Sequence, residues 1–421
     1  MSAVSAARRR REVELAARFG TPLYVYDLDD VAAARRELLA ALPEEFELFY
    51  ALKANPHPEL VRELRGGAAR GPACRAEISS TGELAAALAA GFSGADCLYT
   101  GPGKTAAELR TAIAAGVRLF STDSVSDVRR VGAVAGEHGV LAECLLRVNS
   151  VTASATTSIR MTGTPSQFGF DSETLAGVLP ALRAVAGVRL AGLHFFPLSN
   201  ARDEASLIAE FLHTIELAAD LAQELDLPLR YLDIGGGFSA PYAVPGRRGA
   251  YPKLRSELAA ALDLHLPGWR RGAPTIACES GRFLVGGCGT LLASVSNVKV
   301  SRGRKFVILD AGINAFGGMS GLGRLLPVSV RIDAGDEVAP ASLVGPLCTP
   351  GDILGREIPL PGLAPGDLVA IPNAGAYGPT ASLLSFLGRP APTEVVVRGE
   401  EVVSVSRIEY RRSYEPAGAP R

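Results

Sequence analysis

Lys53 has the surroundings of a reactive amine. It follows the short apolar segment Glu47–Leu52, and Asn55-Pro56 then ends the strand that this segment predicts. Arginine supplies nearly all the positive charge of the chain, which has only four other lysines. A primary amine at the end of a buried strand suits nucleophilic chemistry, most often a Schiff base to a carbonyl, which arginine cannot perform. The alternative is a lysine that reaches water from a strand end, and the segment alone leaves both possibilities open.

Two later apolar segments end in residues that suit a phosphate and a ring nitrogen. One is followed by Gly235-Gly236-Gly237, where the absence of side chains lets a phosphate approach backbone N–H groups. The other ends in Glu279-Ser280-Gly281-Arg282, where the carboxylate can pair with a ring nitrogen and Gly281 with Arg282 can bind phosphate. Together with Lys53, these segments predict a site for pyridoxal phosphate. A phosphosugar aldolase would need the lysine and the phosphate contacts, but not the carboxylate.

Eight short apolar segments position these residues, and amphipathic helical patterns separate most of them. The segments are Glu47–Lys53, Arg75–Ser79, Cys97–Thr100, Arg118–Thr122, Glu143–Asn149, Arg189–Phe196, Arg230–Ile234 and Thr275–Glu279. Eight strand–helix units predict an α/β fold, a TIM-like (β/α)8 barrel whose reactive side chains lie at the C-terminal strand ends. A doubly wound open sheet is the alternative, and it is weaker because eight parallel strands of similar length close readily.

The pattern changes after about residue 283, where helical patterns give way to strands and Gly/Pro turns. The predicted strands are Phe283–Val300, Phe306–Asp310, Pro327–Ile332, Asp367–Pro372 and Thr393–Tyr410, the last containing a hairpin. We therefore expect three parts: an N-terminal segment, 1–37, that pairs with the β domain; the barrel, 38–282; and a C-terminal all-β domain, 283–421.

Composition excludes several classes of function. The net charge is −1 and the pI is about 6.6, which gives no general electrostatic basis for binding nucleic acid. No apolar stretch is long enough to predict a membrane span. The six cysteines have no CxxC spacing and do not cluster with histidines, so we expect neither a metal site nor a disulfide framework. These features are typical of a cytoplasmic protein.

The motifs resemble those of the fold-type-III pyridoxal phosphate decarboxylases, a family that includes diaminopimelate, ornithine and arginine decarboxylases. The resemblance extends from about Gly20 to Tyr410. It rests on six motifs in chain order: Tyr50–Asn55, Glu77–Leu84, Asp233–Gly237, Glu279–Arg282, Gly345–Cys348 and Gly375–Tyr377. The fold that it implies is the barrel plus β domain of alanine racemase and these decarboxylases.

The resemblance also implies roles for individual residues. Lys53 would bind the cofactor, Glu279 would stabilise the protonated pyridine, and Tyr377 would bind phosphate. Cys348 would return a proton to Cα after carbon dioxide leaves. The family further implies a head-to-tail homodimer, in which Cys348 and Tyr377 complete the active site of the other chain.

Departures from the family pattern concern the substrate. Ornithine- and diaminopimelate-type enzymes have an acidic residue directly after the cysteine, where this chain has Thr349, which cannot pair with a second ammonium. Phe196 stands where the family has a histidine stacked on the cofactor ring, and Ser199 is a candidate phosphate ligand. Arg324 matches an arginine that binds a distal carboxylate, although the tyrosine that follows it in the family is absent. With Arg147, Thr349 and Arg324 are the substrate-binding candidates.

These departures are similar to those of the butirosin-type decarboxylases, which act on an amino acid attached to an acyl carrier protein, and of the exosortase-associated decarboxylases. The resemblance therefore favours decarboxylation of a carrier-linked acidic L-amino acid, with a carrier protein as partner. One alternative is a free amino acid such as meso-diaminopimelate. Another is a racemase, but racemases of this fold place an arginine at the pyridine nitrogen, where this chain has Glu279. A non-catalytic cofactor-binding protein would lack the β domain and Cys348.

Overall fold

The computed structural model describes residues 3–66, 73–150, 159–160, 165–317, 330 and 338–413. The chain forms two compact units. The barrel unit comprises Leu28–Pro241 and Gly246–Cys288, and the β unit comprises Met1–Asp27, Tyr242–Pro245 and Gly289–Arg421. Among the described residues, no helix combines the length and the apolar character needed to cross a membrane.

The β unit begins the chain with helix α1 (Ala3–Phe19) and strand β1 (Leu23–Asp27), and the barrel unit follows. The helices of the barrel unit are α2 (Leu28–Ala41), α3 (Pro58–Arg65), α4 (Thr81–Ala89), α5 (Ala106–Ala114), α6 (Val125–Glu137), α7 (Leu175–Arg183), α8 (Glu204–Glu224), α9 (Leu254–His265) and α10 (Arg282–Val285). Its longer strands are β2 (Glu47–Ala51), β3 (Arg75–Ile78), β4 (Cys97–Tyr99), β5 (Leu119–Thr122), β6 (Ala142–Asn149), β9 (Val188–Phe195), β11 (Tyr231–Asp233) and β12 (Thr275–Ser280). Three strands have two residues each: β7 (Ile159–Arg160), β8 (Phe170–Asp171) and β10 (Leu198–Ser199).

The eight longer strands form a closed parallel barrel. Their order is β5-β4-β3-β2-β12-β11-β9-β6, and β5 also pairs with β6, which closes the circle. These strands coincide with the eight predicted segments, so the predicted barrel is confirmed and the open-sheet alternative is wrong. Six of the strands each contribute one side chain to a common buried cluster inside the barrel: Phe49, Leu98, Leu119, Leu145, Ala191 and Ala277.

Local capping fixes the turns between barrel strands and helices. The side chains of Ser80, Thr105 and Ser124 accept hydrogen bonds from backbone N–H groups at the starts of α4, α5 and α6. Such caps satisfy helix N–H groups that have no partner within the helix. The strand ends that precede these helices are therefore held in place by short-range interactions.

The β unit is built on a second sheet. Its further strands are β13 (Gly289–Ser301), β14 (Arg304–Leu309), β15 (Ala339–Val344), β16 (Ile353–Leu360), β17 (Leu368–Ile371), β18 (Thr393–Arg398) and β19 (Glu401–Arg407). The sheet order is β16-β15-β14-β13-β1-β18-β19, and β17 also pairs with β13. Strand β1 is antiparallel to β13 and parallel to β18, so the N-terminal segment supplies an inner strand of this sheet.

Two details differ from the sequence-based expectations. The expected boundary at 37/38 lies at Asp27/Leu28, because α2 packs against α3 and α10 of the barrel unit. The strand expected from Phe283 begins at Gly289, since Arg282–Val285 is a short helix with three consecutive buried apolar residues, and periodicity alone does not separate such a run from a strand. The predicted strand Pro327–Ile332 lies, apart from Val330, outside the described residues.

Candidate active site

Titratable side chains gather at the C-terminal ends of the barrel strands. Glu77 lies on β3, His194 on β9, Asp233 at the end of β11 and Glu279 on β12. Lys53 lies just beyond β2, in a 3-10 turn. Because a parallel barrel brings these strand ends to one face, the five residues belong to the same site.

The ammonium of Lys53 is paired with a buried carboxylate. Its Nζ lies 3.3 Å from Oε2 and 3.4 Å from Oε1 of Glu77. The Lys53 side chain is 40% exposed, whereas that of Glu77 is 2% exposed. The hydroxyl of Thr100 donates a hydrogen bond to the same carboxylate. Lys53 is therefore both oriented and accessible, as an amine that attacks a carbonyl must be.

Glu279 lies in a cluster of buried titratable groups. The Nε2 atom of His194 is 3.2 Å from its Oε1 atom. Burial raises the pKa of Glu279, but the contact with His194 and the nearby positive charges outweigh this effect, and its pKa is lowered overall. Burial and the charge of Glu279 raise the pKa of Asp233 to about 7. Glu279 is thus the carboxylate of the pair that stays ionised.

Glu77 and His194 are two residues of the site that were not predicted from the sequence. Both had the signal that identified Lys53 and Glu279, namely a polar side chain at the end of a predicted barrel strand. Glu77 also lies in one of the family-like motifs. What the sequence did not show is that Glu77 pairs with Lys53 and His194 with Glu279, because both pairs join distant segments of the chain.

The three glycines after β11 allow the backbone to pass very close to its neighbours. A Cβ atom on Gly235, whose φ is +77°, would lie 2.3 Å from the carbonyl oxygen of Phe195. A Cβ atom on Gly236 would lie 2.6 Å from the carbonyl oxygen of Glu279, and one on Gly237 would lie 2.3 Å from Leu198 Cδ1. Any side chain at these three positions would push the turn away from its neighbours, so the close approach requires glycine.

These residues fit pyridoxal phosphate. The Oδ2 atom of Asp233 is buried and has no hydrogen-bond partner among the described residues. The Oε1 atom of Glu279 is also buried and, although His194 Nε2 lies 3.2 Å away, it accepts no hydrogen bond of favourable geometry from the described residues. Buried acceptors of this kind need a donor, and a protonated pyridine nitrogen supplies one. A Cβ atom on Gly281 would lie 2.9 Å from the Cβ atom of Ala54, so the turn Glu279–Arg282 packs directly against the turn that contains Lys53.

Two cationic side chains, those of Lys53 and Arg147, lie near the ring of Phe196. The Nζ atom of Lys53 lies 5.2 Å from the centroid of its ring, and the Cζ atom of Arg147 lies 5.9 Å away. Both distances are within the range of cation–π attraction. Ser199 lies on β10 and is partly exposed. Stacking of Phe196 on the cofactor and a phosphate contact from Ser199 stay predictions.

Cys348, Thr349 and Tyr377 belong to the β unit, and their roles in the site stay predictions. Cys348 is exposed and Thr349 is partly buried. The nearby carboxylate of Asp352 accepts hydrogen bonds from the backbone N–H groups of Leu347, at 2.7 Å, and Ile313, at 2.8 Å. Asp352 therefore fixes the loop that presents Cys348.

Tyr377 has a positive φ of 52°, and its carbonyl accepts a hydrogen bond from the Tyr242 hydroxyl at 3.1 Å. The left-handed conformation is uncommon for a tyrosine and marks a constrained turn. Arg324, the third substrate-binding candidate, lies outside the described residues.

Comparisons with known proteins agree with this geometry. A family model described as "Pyridoxal-dependent decarboxylase, pyridoxal binding domain" matches residues 28–286. L-glutamyl-[BtrI acyl-carrier protein] decarboxylase of Niallia circulans is 31% identical over 91% of this chain and 90% of that protein. A diaminopimelate decarboxylase of Deinococcus radiodurans is 34% identical over 92% of this chain and 93% of its own.

Solved structures show the same relationship. Diaminopimelate decarboxylase from Helicobacter pylori, complexed with L-lysine, superposes with a TM-score of 0.78 at 27% identity and covers 93% of this chain and 95% of its own. The matches span both units of the chain and include the barrel strands that position Lys53 and Glu279. The chain therefore belongs to the pyridoxal-dependent decarboxylases and is a pyridoxal-phosphate-dependent amino-acid decarboxylase.

Proposed function

We propose that this enzyme decarboxylates an acidic L-amino acid attached to an acyl carrier protein in a biosynthetic pathway. The observation on which the proposal rests is the neutral Thr349 directly after Cys348. A substrate with a free distal ammonium needs an opposite charge there, because an unpaired buried ammonium is costly. A substrate joined to a carrier through its distal carboxyl group has no charge at that end.

The relative from Niallia circulans supports the same substrate class. By its name it acts on a glutamyl carrier protein, and its similarity extends over both units of this chain. Phe196 adds support, since it provides a ring face without a titrating group at the position of the family's histidine. The similarity to this relative and the presence of Phe196 both support our proposal that the substrate of this enzyme is carrier-linked.

The proposed chemistry assigns a task to each residue. Pyridoxal phosphate, when bound, accepts the electron pair that remains at Cα after the carboxylate leaves as carbon dioxide. Lys53 would hold the cofactor through Nζ at its aldehyde, the position that the substrate amine would take. Glu279 would accept the hydrogen bond of the ring N–H, and the thiol of Cys348 would deliver a proton to Cα. We further propose that the enzyme is a homodimer in which Cys348 and Tyr377 act in the site of the other chain.

The substrate is tested by comparing three compounds with the same preparation of enzyme. We expect release of carbon dioxide from a glutamyl- or aspartyl-carrier thioester, and little release from free glutamate or free meso-diaminopimelate. The matched control is the unmodified carrier, whose serine bears no phosphopantetheine arm, mixed with free glutamate. Turnover of a free amino acid with an inert thioester would contradict the proposal.

Decarboxylation of free meso-diaminopimelate is the second candidate. It is favoured by the diaminopimelate decarboxylases among the relatives, one of them 34% identical. Thr349→Asp helps to separate the candidates. If the side chain at 349 faces the distal end of the substrate, the new carboxylate should lower turnover of the thioester. It should also improve binding of a diamino acid at least several-fold. Both effects are measured as kcat/KM, one for the thioester and one for the diamino acid. An unchanged ratio would remove Thr349 from substrate recognition.

A further inference from the structure

Three charged side chains are buried together next to the site. We call Lys104, Asp123 and Asp127 the buried triad; their side chains are 1%, 5% and 3% exposed. The Nζ atom of Lys104 donates to Oδ2 of Asp127 at 2.8 Å and to the carbonyl of Gly101 at 2.6 Å. It lies 3.9 Å from Oδ2 of Asp123. Two carboxylates and one ammonium leave a negative charge, so the buried triad needs a further cation.

Arg147 is that cation. Its Nη1 atom lies 3.9 Å from Oδ1 of Asp123, and its side chain is 11% exposed. The same Oδ1 atom accepts a hydrogen bond from the backbone N–H of Gly169 at 2.8 Å. The ring of Phe168 lies 4.6 Å from the Cζ atom of Arg147. Asp123 thus holds both the guanidinium and the turn that covers it.

Arg147 connects this network to the site. Its Cζ atom lies 5.9 Å from the ring centroid of Phe196, whose ring also lies 5.2 Å from the ammonium of Lys53. Displacement of Arg147 would remove a positive charge from the surroundings of the Phe196 ring and of Glu279. Phe168 and Asp123 both lie close to the guanidinium of Arg147 and oppose such a displacement.

We propose that the buried triad is a positioning network, in which Asp123, held by Lys104 and Asp127, fixes Arg147 against Phe196 at the cofactor site. The network acts on the site through Arg147 and does not touch the substrate. It depends on the pyridoxal phosphate site and is independent of which amino acid the enzyme accepts. A triad that only stabilised the fold would leave the properties of the cofactor site unchanged.

A double-mutant cycle between Asp123 and Arg147 tests the proposal. Asp123→Asn removes the charge but keeps an oxygen for the N–H of Gly169. We expect Asp123→Asn and Arg147→Met each to weaken binding of pyridoxal phosphate to the apoprotein about fivefold to tenfold, and the double variant to be no weaker than Arg147→Met alone. Affinity is measured by titrating apoprotein with the cofactor, and the absorption spectrum of the loaded protein is the second readout.

Additive losses in the double variant would overturn the proposal. So would an Asp123→Asn protein with wild-type affinity and spectrum and only a lower thermal midpoint, because that result indicates a purely structural role.

Lys104 is tested by two further variants. Lys104→Met leaves two buried carboxylates without their ammonium, and Lys104→Met/Asp127→Asn removes one charge of each sign, so it folds more readily. In the double variant we expect a loss of cofactor affinity similar to that of Asp123→Asn; wild-type affinity would contradict the role of Lys104. The control is Glu137→Gln, which removes an exposed ion pair to Arg110, at 2.7 Å, between the two helices that follow Lys104 and Asp123, α5 and α6. Its affinity should not change.

Discussion

A nucleophilic lysine must be accessible and oriented at once, and few lysines are. The sequence left open whether Lys53 simply extends from a strand end into water. In the structure its ammonium turns to the buried carboxylate of Glu77 and lies beside the ring of Phe196. A lysine that only needed hydration would not require a carboxylate that is itself almost fully buried.

Lys53→Ala and Lys53→Arg should both abolish covalent attachment of the cofactor. Arginine keeps the charge beside Glu77 but cannot bond to an aldehyde at neutral pH, so the pair separates a charge requirement from a nucleophile requirement. We expect neither variant to retain cofactor after borohydride reduction and denaturation, as followed by absorption and mass spectrometry. Lys299→Ala, at an exposed position of β13, is the control and should behave as wild type. Label on another lysine in Lys53→Ala would contradict the assignment.

Elements with a strong pattern were predictable, and elements defined by distant contacts were not. The eight barrel strands were found because each is a short apolar run before a turn or a helix. Strands β15 and β16 were missed, since Pro340 and Pro359 weaken the strand pattern and face each other across the pair. The role of Asp352 was also hidden, because one of its backbone partners, Ile313, is distant in the sequence.

The glycine turn after β11 gives a test at the scale of an element. A side chain on Gly235 would meet the carbonyl of Phe195 and would have to adopt a φ of +77°. We expect Gly235→Ala to lower stability by about 1–3 kcal/mol and to weaken binding of pyridoxal phosphate. Gly103→Ala, in another barrel turn with no atom within 4 Å of the new Cβ, should change neither. Chemical denaturation and cofactor titration measure the two effects, and equal behaviour of both variants would contradict the steric argument.

Across the whole molecule, three carboxyl groups make stability depend on pH: Asp233 and Glu394 are buried, and Glu83 is partly buried. Burial is the main cause that raises the pKa values of Glu83, Asp233 and Glu394, each to about 7. The unfolded chain loses these protons near their ordinary values of about 4, whereas the folded protein keeps them until about pH 7. The folded state therefore binds more protons in this window, so these groups make the free energy of unfolding fall as pH rises through it.

Glu394→Gln isolates one of the three contributions. Glu394 is 6% exposed and accepts a hydrogen bond from the Tyr26 hydroxyl at 3.0 Å, which the amide oxygen of glutamine can also accept. Relative to wild type, the variant should gain on the order of 2 kcal/mol between about pH 5 and pH 8. Urea denaturation of the apoprotein at both pH values measures the difference. Parallel pH profiles for the two proteins would contradict a raised pKa at Glu394.

The proposed homodimer is tested by mixing two inactive chains. Lys53→Ala lacks the amine in every site, and Cys348→Ala lacks the proton donor in every site. If Cys348 acts in the site of the other chain, a mixed dimer has one site with both residues intact, and random exchange of subunits should restore up to about one quarter of wild-type activity. Lys53→Ala mixed with Lys53→Arg is the control and should stay inactive. Mass spectrometry verifies that subunits have exchanged. If the exchanged mixture of Lys53→Ala and Cys348→Ala is still inactive, Cys348 either acts within its own chain or has no part in catalysis. The turnover of the cofactor-loaded Cys348→Ala protein distinguishes these two outcomes.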